Sequence, residues 1–208
     1  MSITLYEAPF SSATPVACAL AELGVPHERV RFDLTSGIQK QPEFLALNPN
    51  GKVPTLVVDG TPMFEALAIV QWLADRYGVA RGLWPAADAP DRLQALSWST
   101  WAYVSFGSAV QRRLLASNEL LAPELRSRAQ QQLAEQDIER LLGILDRRLS
   151  ERAFVLGAQY SLVDLVIASA LTWARFTGVS LEAHAHVTPW LGVCQARAAF
   201  KQVWTQAA

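Results

Sequence analysis

The stretch L5-Y-E-A-P-F-S-S-A-T-P-V-A-C-A-L20 decides how the rest of the chain is read. S2-I-T-L-Y6 reads as a strand candidate. Thr14-Pro15 then suits an N-cap and first helical position for a helix through Leu23, with Gly24 closing it. Between strand and helix stand two adjacent hydroxyls, Ser11 and Ser12. A turn that carries hydroxyls into a helix N-terminus is a place where an anion is readily held, because free backbone N–H groups and the helix dipole point the same way.

Working outward, H27-E-R-V-R-F32 alternates as a second strand, and P42-E-F-L-A-L-N-P49 is a short helix stopped by Asn48-Pro49. T55-L-V-V-D-G-T-P-M-F64 is two apolar runs around Asp59-Gly60, the signature of a two-residue hairpin. E65-A-L-A-I-V-Q-W-L-A-D-R-Y-G78 closes the segment as a helix, with Leu67, Val70, Leu73 and Tyr77 as its apolar stripe and Gly78 as its stop. The order β-α-β-α-β-β-α is that of a thioredoxin-like α/β domain over residues 1–78. Residues 79–90, VARGLWPAADAP, read as a linker.

Beyond the linker only helical spacing is found, and residues 91–208 are expected to form an all-α bundle domain. Residues 91–116 and 123–149 are amphipathic, the second with Leu125, Leu133, Leu141, Leu145 and Leu149 on one side. Residues 161–176 are apolar on nearly every face, as befits the centre of a bundle. Ser161-x-x-Asp164 before them is a capping box with Asp in the usual Glu position, and Thr188-Pro189 opens another short helix.

The bulk properties narrow the function. The 208 residues carry 18 basic and 19 acidic side chains, a formal charge of −1, which gives no electrostatic footprint for nucleic acid or an anionic membrane. Two cysteines, Cys18 and Cys194, show neither CxxC nor metal-like spacing, so no disulfide framework and no metal site are expected. The N-terminus lacks a basic, apolar leader, and the longest apolar stretch is too short to span a bilayer and contains Asp164. A cytoplasmic protein is the expectation.

The chain resembles the cytosolic glutathione S-transferases, and the likeness covers essentially all of it. L5-Y-E-A-P-F-S-S12 is similar to that family's strand and turn with a catalytic serine or cysteine. N48-P-N-G-K-V-P-T-L56 matches its N-P-x-G-x-V-P-x-L signature, and F64-E-A-L-A-I-V-Q-W-L-A-D-R-Y-G78 matches its E-S-x-A-I-x-x-Y-L segment. The Ser161/Asp164 cap agrees with the family's folding motif.

The resemblance implies a set of site residues. Proline cannot donate to a ladder, so Pro54 at the head of a strand suits a turn or a cis bond. The Val53-Pro54 backbone would then pair with the cysteinyl unit of glutathione as an added strand. Glu65 and the residue after it would hold the γ-glutamyl end. Ala66 stands where the family has serine, which removes one hydroxyl but leaves the backbone N–H. Gln39 and Lys52 would meet the glycyl carboxylate, while Lys40 belongs to a solvated loop.

A thiol of ordinary pKa, about 8.5, is mostly protonated at neutral pH. Lowering it by about 2 units takes about 2.7 kcal/mol, the scale of one hydroxyl donor plus a helix N-terminus. By spacing, Ser11 matches the catalytic serine of theta- and phi-like classes and Ser12 the catalytic cysteine of the beta class. Ser11 is expected to face the Val53-Pro54 edge and activate the thiol, and Ser12 to shape the turn. With no cysteine in the turn, thiol exchange is disfavoured.

A hydrophobic electrophile is expected between the domains, against Phe10, Trp101 and Phe106. The implied protein is a glutathione transferase, a twofold homodimer using glutathione as co-substrate without a permanent cofactor. A glutathione-dependent peroxidase, dehalogenase or isomerase, or a non-catalytic binding module, are the alternatives.

Overall fold

The computed structural model describes residues 1–207. Four strands, β1 (Ile3–Glu7), β2 (Glu28–Arg31), β3 (Thr55–Val58) and β4 (Thr61–Phe64), form one mixed sheet in the order β2-β1-β3-β4. β1 and β2 are parallel, joined by the crossover helix α1 (Thr14–Glu22), and the other two pairings are antiparallel. The β3–β4 turn is Asp59-Gly60, with both residues at positive φ (46° and 81°) as a twist-matched two-residue hairpin requires.

Alternation along β1 gives the sheet two different faces. Ile3 and Leu5 are buried on one. Tyr6 points the other way into an aromatic cluster with Phe32 and with Phe44 of α2 (Pro42–Leu45), at centroid separations of 4.9–5.7 Å. Such edge and tilted pairs add about 0.5–1.5 kcal/mol each beyond their buried area. α1 packs against α3 (Ala66–Leu73), whose buried positions are Ala66, Ile69, Val70 and Leu73. The expected stripe is therefore turned, since Leu67 and Tyr77 are only partly covered.

Two helix ends differ from expectation. α1 starts at Thr14 itself, with Ala13 as the flanking residue and no side-chain cap. Gly78 does not stop α3, because its φ of −80° continues a helical path through a π turn (Ala74–Gly78) and a 3-10 turn (Val79–Arg81). The left-handed stop comes at Gly82, φ 66°.

The second half is all helix. α4 (Arg92–Trp101) and α5 (Ser108–Ser117) are one continuous rod broken by a π segment, Ala102–Gly107. Gly107 is the residue that lets it pass, since a Cβ there would stand 3.1 Å from the Ala102 carbonyl. α6 (Arg128–Leu149) starts at a Ser127 cap and buries Ala134, Ile138, Leu141, Leu142, Leu145 and Leu149. Leu125 and Leu133 are 66% and 53% exposed, so the expected leucine stripe holds only from Leu141 onward. α7 (Leu162–Phe176) is buried over most of its length, followed by α8 (Val187–Gln195).

A last helix, α9 (Ala198–Ala207), packs on α1. Contacts therefore group Met1–Ala89 with the segment from Gln195 onward, and Pro90–Cys194 as a second unit. The C-terminal segment, assigned by sequence to the helical domain, joins the strand-containing one. Among the described residues no helix is long and apolar enough to cross a membrane.

Candidate functional site

The strand register shows where the candidate residues meet. Tyr6 lies opposite Val30 on β2 and Thr55 on β3, and Thr55 lies opposite Phe64 on β4. One end of the sheet thus carries the carboxyl ends of β1, β2 and β4 and the amino end of β3. The segments leaving or reaching that end are Ala8–Ser12, Phe32–Lys40, Val53-Pro54 and Glu65-Ala66. Loops at the carboxyl ends of strands are where α/β folds place ligands.

The two serines divide their contacts differently from the sequence expectation. The Ser11 hydroxyl donates to the Ala8 carbonyl (2.6 Å) and accepts the Ala13 N–H (3.2 Å). The Ser12 hydroxyl donates to the Val53 carbonyl (2.8 Å). The contact with the Val53-Pro54 edge expected for Ser11 belongs to Ser12, and Ser11 is the one that closes the turn. Phe10 just before them holds φ 49°, rare for an aromatic residue. Cys18 lies buried in α1, where burial pushes its thiol well above the ordinary value, so it offers no nucleophile.

The Val53-Pro54 bond is cis. Its loop is built by Asn48, a buried amide whose Nδ2 donates to the Lys52 carbonyl (2.7 Å) and Thr55 Oγ1 (3.1 Å) while its Oδ1 accepts the Asn50 N–H (3.0 Å). The sequence marks Asn48 as a helix stop and as the head of the N-P-x-G signature, and its place as the buried hub of the loop is seen only in these contacts. Gly51 (φ 57°) is required here because a Cβ would meet the Gln39 carbonyl and Lys40 Nζ at 2.8 Å. With these contacts made, the Val53 N–H has no partner among the described residues.

Glu65 sits at φ 71° ahead of α3, exposed and without a cap hydrogen bond, and Ala66 opens the helix. The first-turn N–H groups of a helix have no intrahelical partner, so this terminus presents donors beside one carboxylate. Lys52 is exposed and its ammonium is unpaired among the described residues. Gln39 is committed to its own turn, with Nε2 donating to the Leu34 carbonyl (3.0 Å) and Oε1 buried without a partner. An unpartnered acceptor has the wrong polarity for a carboxylate. Lys40 is exposed, as expected of a solvated loop, and its ammonium also donates to the Asn50 carbonyl (3.2 Å).

The aromatic candidates fall in different places. Phe10 is half-buried, and the open depression of about 580 Å3 at this end of the sheet is lined by Ala8, Pro9, Arg31, Phe32, Asp33 and Leu34 and not by Phe10. Phe106 is 0% exposed and stacks on Trp101 (5.8 Å). Trp101, half-buried, lines a second depression of about 420 Å3 in the helical unit with Val104, Arg112 and Ile144.

Comparison with known proteins agrees over both halves. Residues 1–75 match the family model for the glutathione S-transferase N-terminal domain, and residues 113–193 that for the glutathione S-transferase C-terminal domain. Glutathione S-transferase F10 of Arabidopsis thaliana is 30% identical over 212 residues, 98% of this chain and 96% of that one. A sphingomonad glutathione S-transferase solved in complex with glutathione superposes with TM-score 0.83 at 27% identity, covering 98% of each chain. The glutathione transferase URE2P6 of Phanerochaete chrysosporium, solved with oxidized glutathione, shares the fold at TM-score 0.89 and 24% identity over 99% of this chain and 96% of that one.

Proposed function

The chain belongs to the glutathione S-transferase family, and from that premise we propose that it binds glutathione at the strand ends, ionises its thiol and joins the sulfur to a hydrophobic electrophile. The observation that carries this reading is the convergence of four segments at one sheet end with the right groups left open: the Val53 N–H, the first turn of α3, and Lys52.

The tripeptide has a charge pattern that suits these groups. Its α-carboxylate meets the α3 N-terminus and its α-ammonium meets Glu65. The cysteinyl unit pairs with the Val53 backbone as a short added strand. A carbonyl accepts two hydrogen bonds, so Val53 can keep the Ser12 hydroxyl while taking a ligand N–H. Lys52, rather than Gln39, answers the glycyl carboxylate.

For the sulfur, Ser11 is the donor we assign. The Ala13 N–H holds its oxygen, so its hydrogen can turn from the Ala8 carbonyl to a thiolate without moving the side chain. Ser12 secures the Val53 edge. The thiol proton leaves to solvent, the thiolate attacks an electrophilic carbon, and the new C–S bond forms as a leaving group departs or a conjugated π system takes the electron pair. The chain supplies orientation and a stabilised anion, and no base of its own is required.

Retention on immobilised glutathione, followed by conjugation of an aryl halide monitored by absorbance, tests the reading. Binding with turnover supports it. Binding without turnover toward any electrophile would favour the alternative of a non-catalytic module, to which the Ala66 substitution lends its one supporting feature. A twofold homodimer belongs to the same proposal, and sedimentation at about twice the 22.8 kDa chain mass is the expected result.

A further inference from the structure

The serine turn is braced from behind by the end of the chain. Phe10 holds a positive φ that an aromatic side chain adopts only when its surroundings over-determine it. Rotating it back to the ordinary region would swing the next peptide and carry Ser11 with it. What opposes that rotation is visible in α9. The Phe10 ring stands edge-on to Trp204 (6.4 Å, 61°), and Trp204 is stacked on Phe200 (5.6 Å, 14°), itself buried.

α9 is tied at two places along α1. Near the amino end of α1 the tie is this aromatic stack. At the carboxyl end it is an ion pair, Arg197 with Glu22, in which Arg197 Nε donates to the carboxylate at 3.0 Å. The nine residues of α1 span about 13 Å. The ion pair thus secures α9 at the end away from the turn, while the aromatic stack is the tie that meets the strained residue.

We infer that Trp204 is a positioning residue for the proposed thiol site, holding the Phe10–Ser11 turn in the conformation that aims the Ser11 hydroxyl. The inference rests on the reading of Ser11 for its chemical consequence, but its structural half does not. The indole N–H of Trp204 is buried without a partner among the described residues. It is therefore the ring face that the position uses, and a smaller aromatic ring should serve.

Two readouts keep the inference apart from the proposed function. The first is amide hydrogen exchange of Ala13 in the ligand-free protein, which reports the bond from its N–H to Ser11 Oγ. Trp204→Leu should speed that exchange about tenfold, Trp204→Phe should leave it within about twofold of the parent, and Arg197→Gln should lower the melting temperature while leaving it unchanged. The second is the thiolate absorbance titration of bound glutathione. Trp204→Leu should move it about one unit higher and reduce kcat about tenfold at neutral pH with little change in KM for glutathione, and Trp204→Phe should restore both.

Ala13 exchange in Trp204→Leu equal to that of the parent would overturn the brace whatever the chemistry of the site. Equal acceleration in Arg197→Gln would also overturn it, by reducing Trp204 to one part of a generally stable helix. Faster exchange only in Trp204→Leu, with a parent protein whose bound thiol titrates like free glutathione, would uphold the brace and instead overturn the proposed thiol chemistry.

Discussion

Two of the helix N-termini that carry an acid in or beside the first turn, those of α7 and α3, are used in opposite ways. At α7, Asp164 is wholly buried and accepts four donors: the Val155 N–H (2.8 Å), the Ser161 N–H (2.9 Å), the Ser161 hydroxyl (2.8 Å) and the Trp190 indole (3.1 Å). Burial pushes its carboxyl above the ordinary value, against the pull of those donors. At α3, Glu65 is exposed, makes no cap bond and holds a left-handed backbone. A terminus closed on its own groups is scaffold. One left open, at a cost in backbone strain, is a surface waiting for a charged partner.

The comparison breaks most visibly at the closed end. Asp164→Ala leaves two N–H groups, an indole and a hydroxyl buried without their acceptor, and should cost about 3–5 kcal/mol. That lowers the melting temperature by roughly 10 °C or more, while glutathione affinity of the folded fraction, measured by calorimetry below the transition, stays at the parent value. A drop of only a degree or two would mean that Asp164 is not the keystone its four contacts suggest.

Glu65→Ala should do the reverse. Losing a charged partner for the ligand ammonium weakens glutathione binding by about 1.5–3 kcal/mol, and the melting temperature should barely move, since Glu65 caps nothing. Stability loss comparable to that of Asp164→Ala would erase the distinction between the two termini.

Ser11→Ala acts at the other end of the tripeptide. The bound thiol should titrate about one to two units higher and turnover at neutral pH should fall about tenfold to a hundredfold, with affinity little changed. Ser12→Ala should leave the titration in place and weaken binding slightly through the freed Val53 edge. If the two variants exchange these outcomes, the thiol belongs to Ser12.

How much of this was legible in the sequence depended on the range of the interaction. Asp59-Gly60 announced its hairpin because turn chemistry is local, and the Ser161/Asp164 box could be read over a spacing of three residues. Gly78 misled because a glycine in sequence does not reveal its φ; here it continues the helix, and Gly82 four residues later takes the left-handed position. The leucine stripe failed at Leu125 because that residue lies in a 3-10 turn before the Ser127 cap, outside the periodicity of α6. That the Val53 contact belongs to Ser12 and not Ser11 was hidden for a different reason. Val53 is 41 residues from Ser12, and only the register of β1 on β3 brings them together. The return of α9 onto α1 links the two ends of the chain and leaves no local trace at all.

The mildest test sharpens the open terminus itself. Ala66→Ser restores a hydroxyl at a buried position beside the free N–H groups of α3. It should strengthen glutathione binding by about 0.5–1.5 kcal/mol, the net worth of one hydrogen bond, and leave the thiol titration where it was. Unchanged affinity would place the γ-glutamyl end elsewhere.

The most direct measurement is the thiolate absorbance titration of glutathione on the unmodified protein at saturating concentration. The expected midpoint lies about two units below the ordinary thiol value of about 8.5, the shift that one hydroxyl donor and a helix N-terminus can supply. A bound thiol that titrates with the free tripeptide would contradict the assignment of the strand-end cluster as a thiol-activating site.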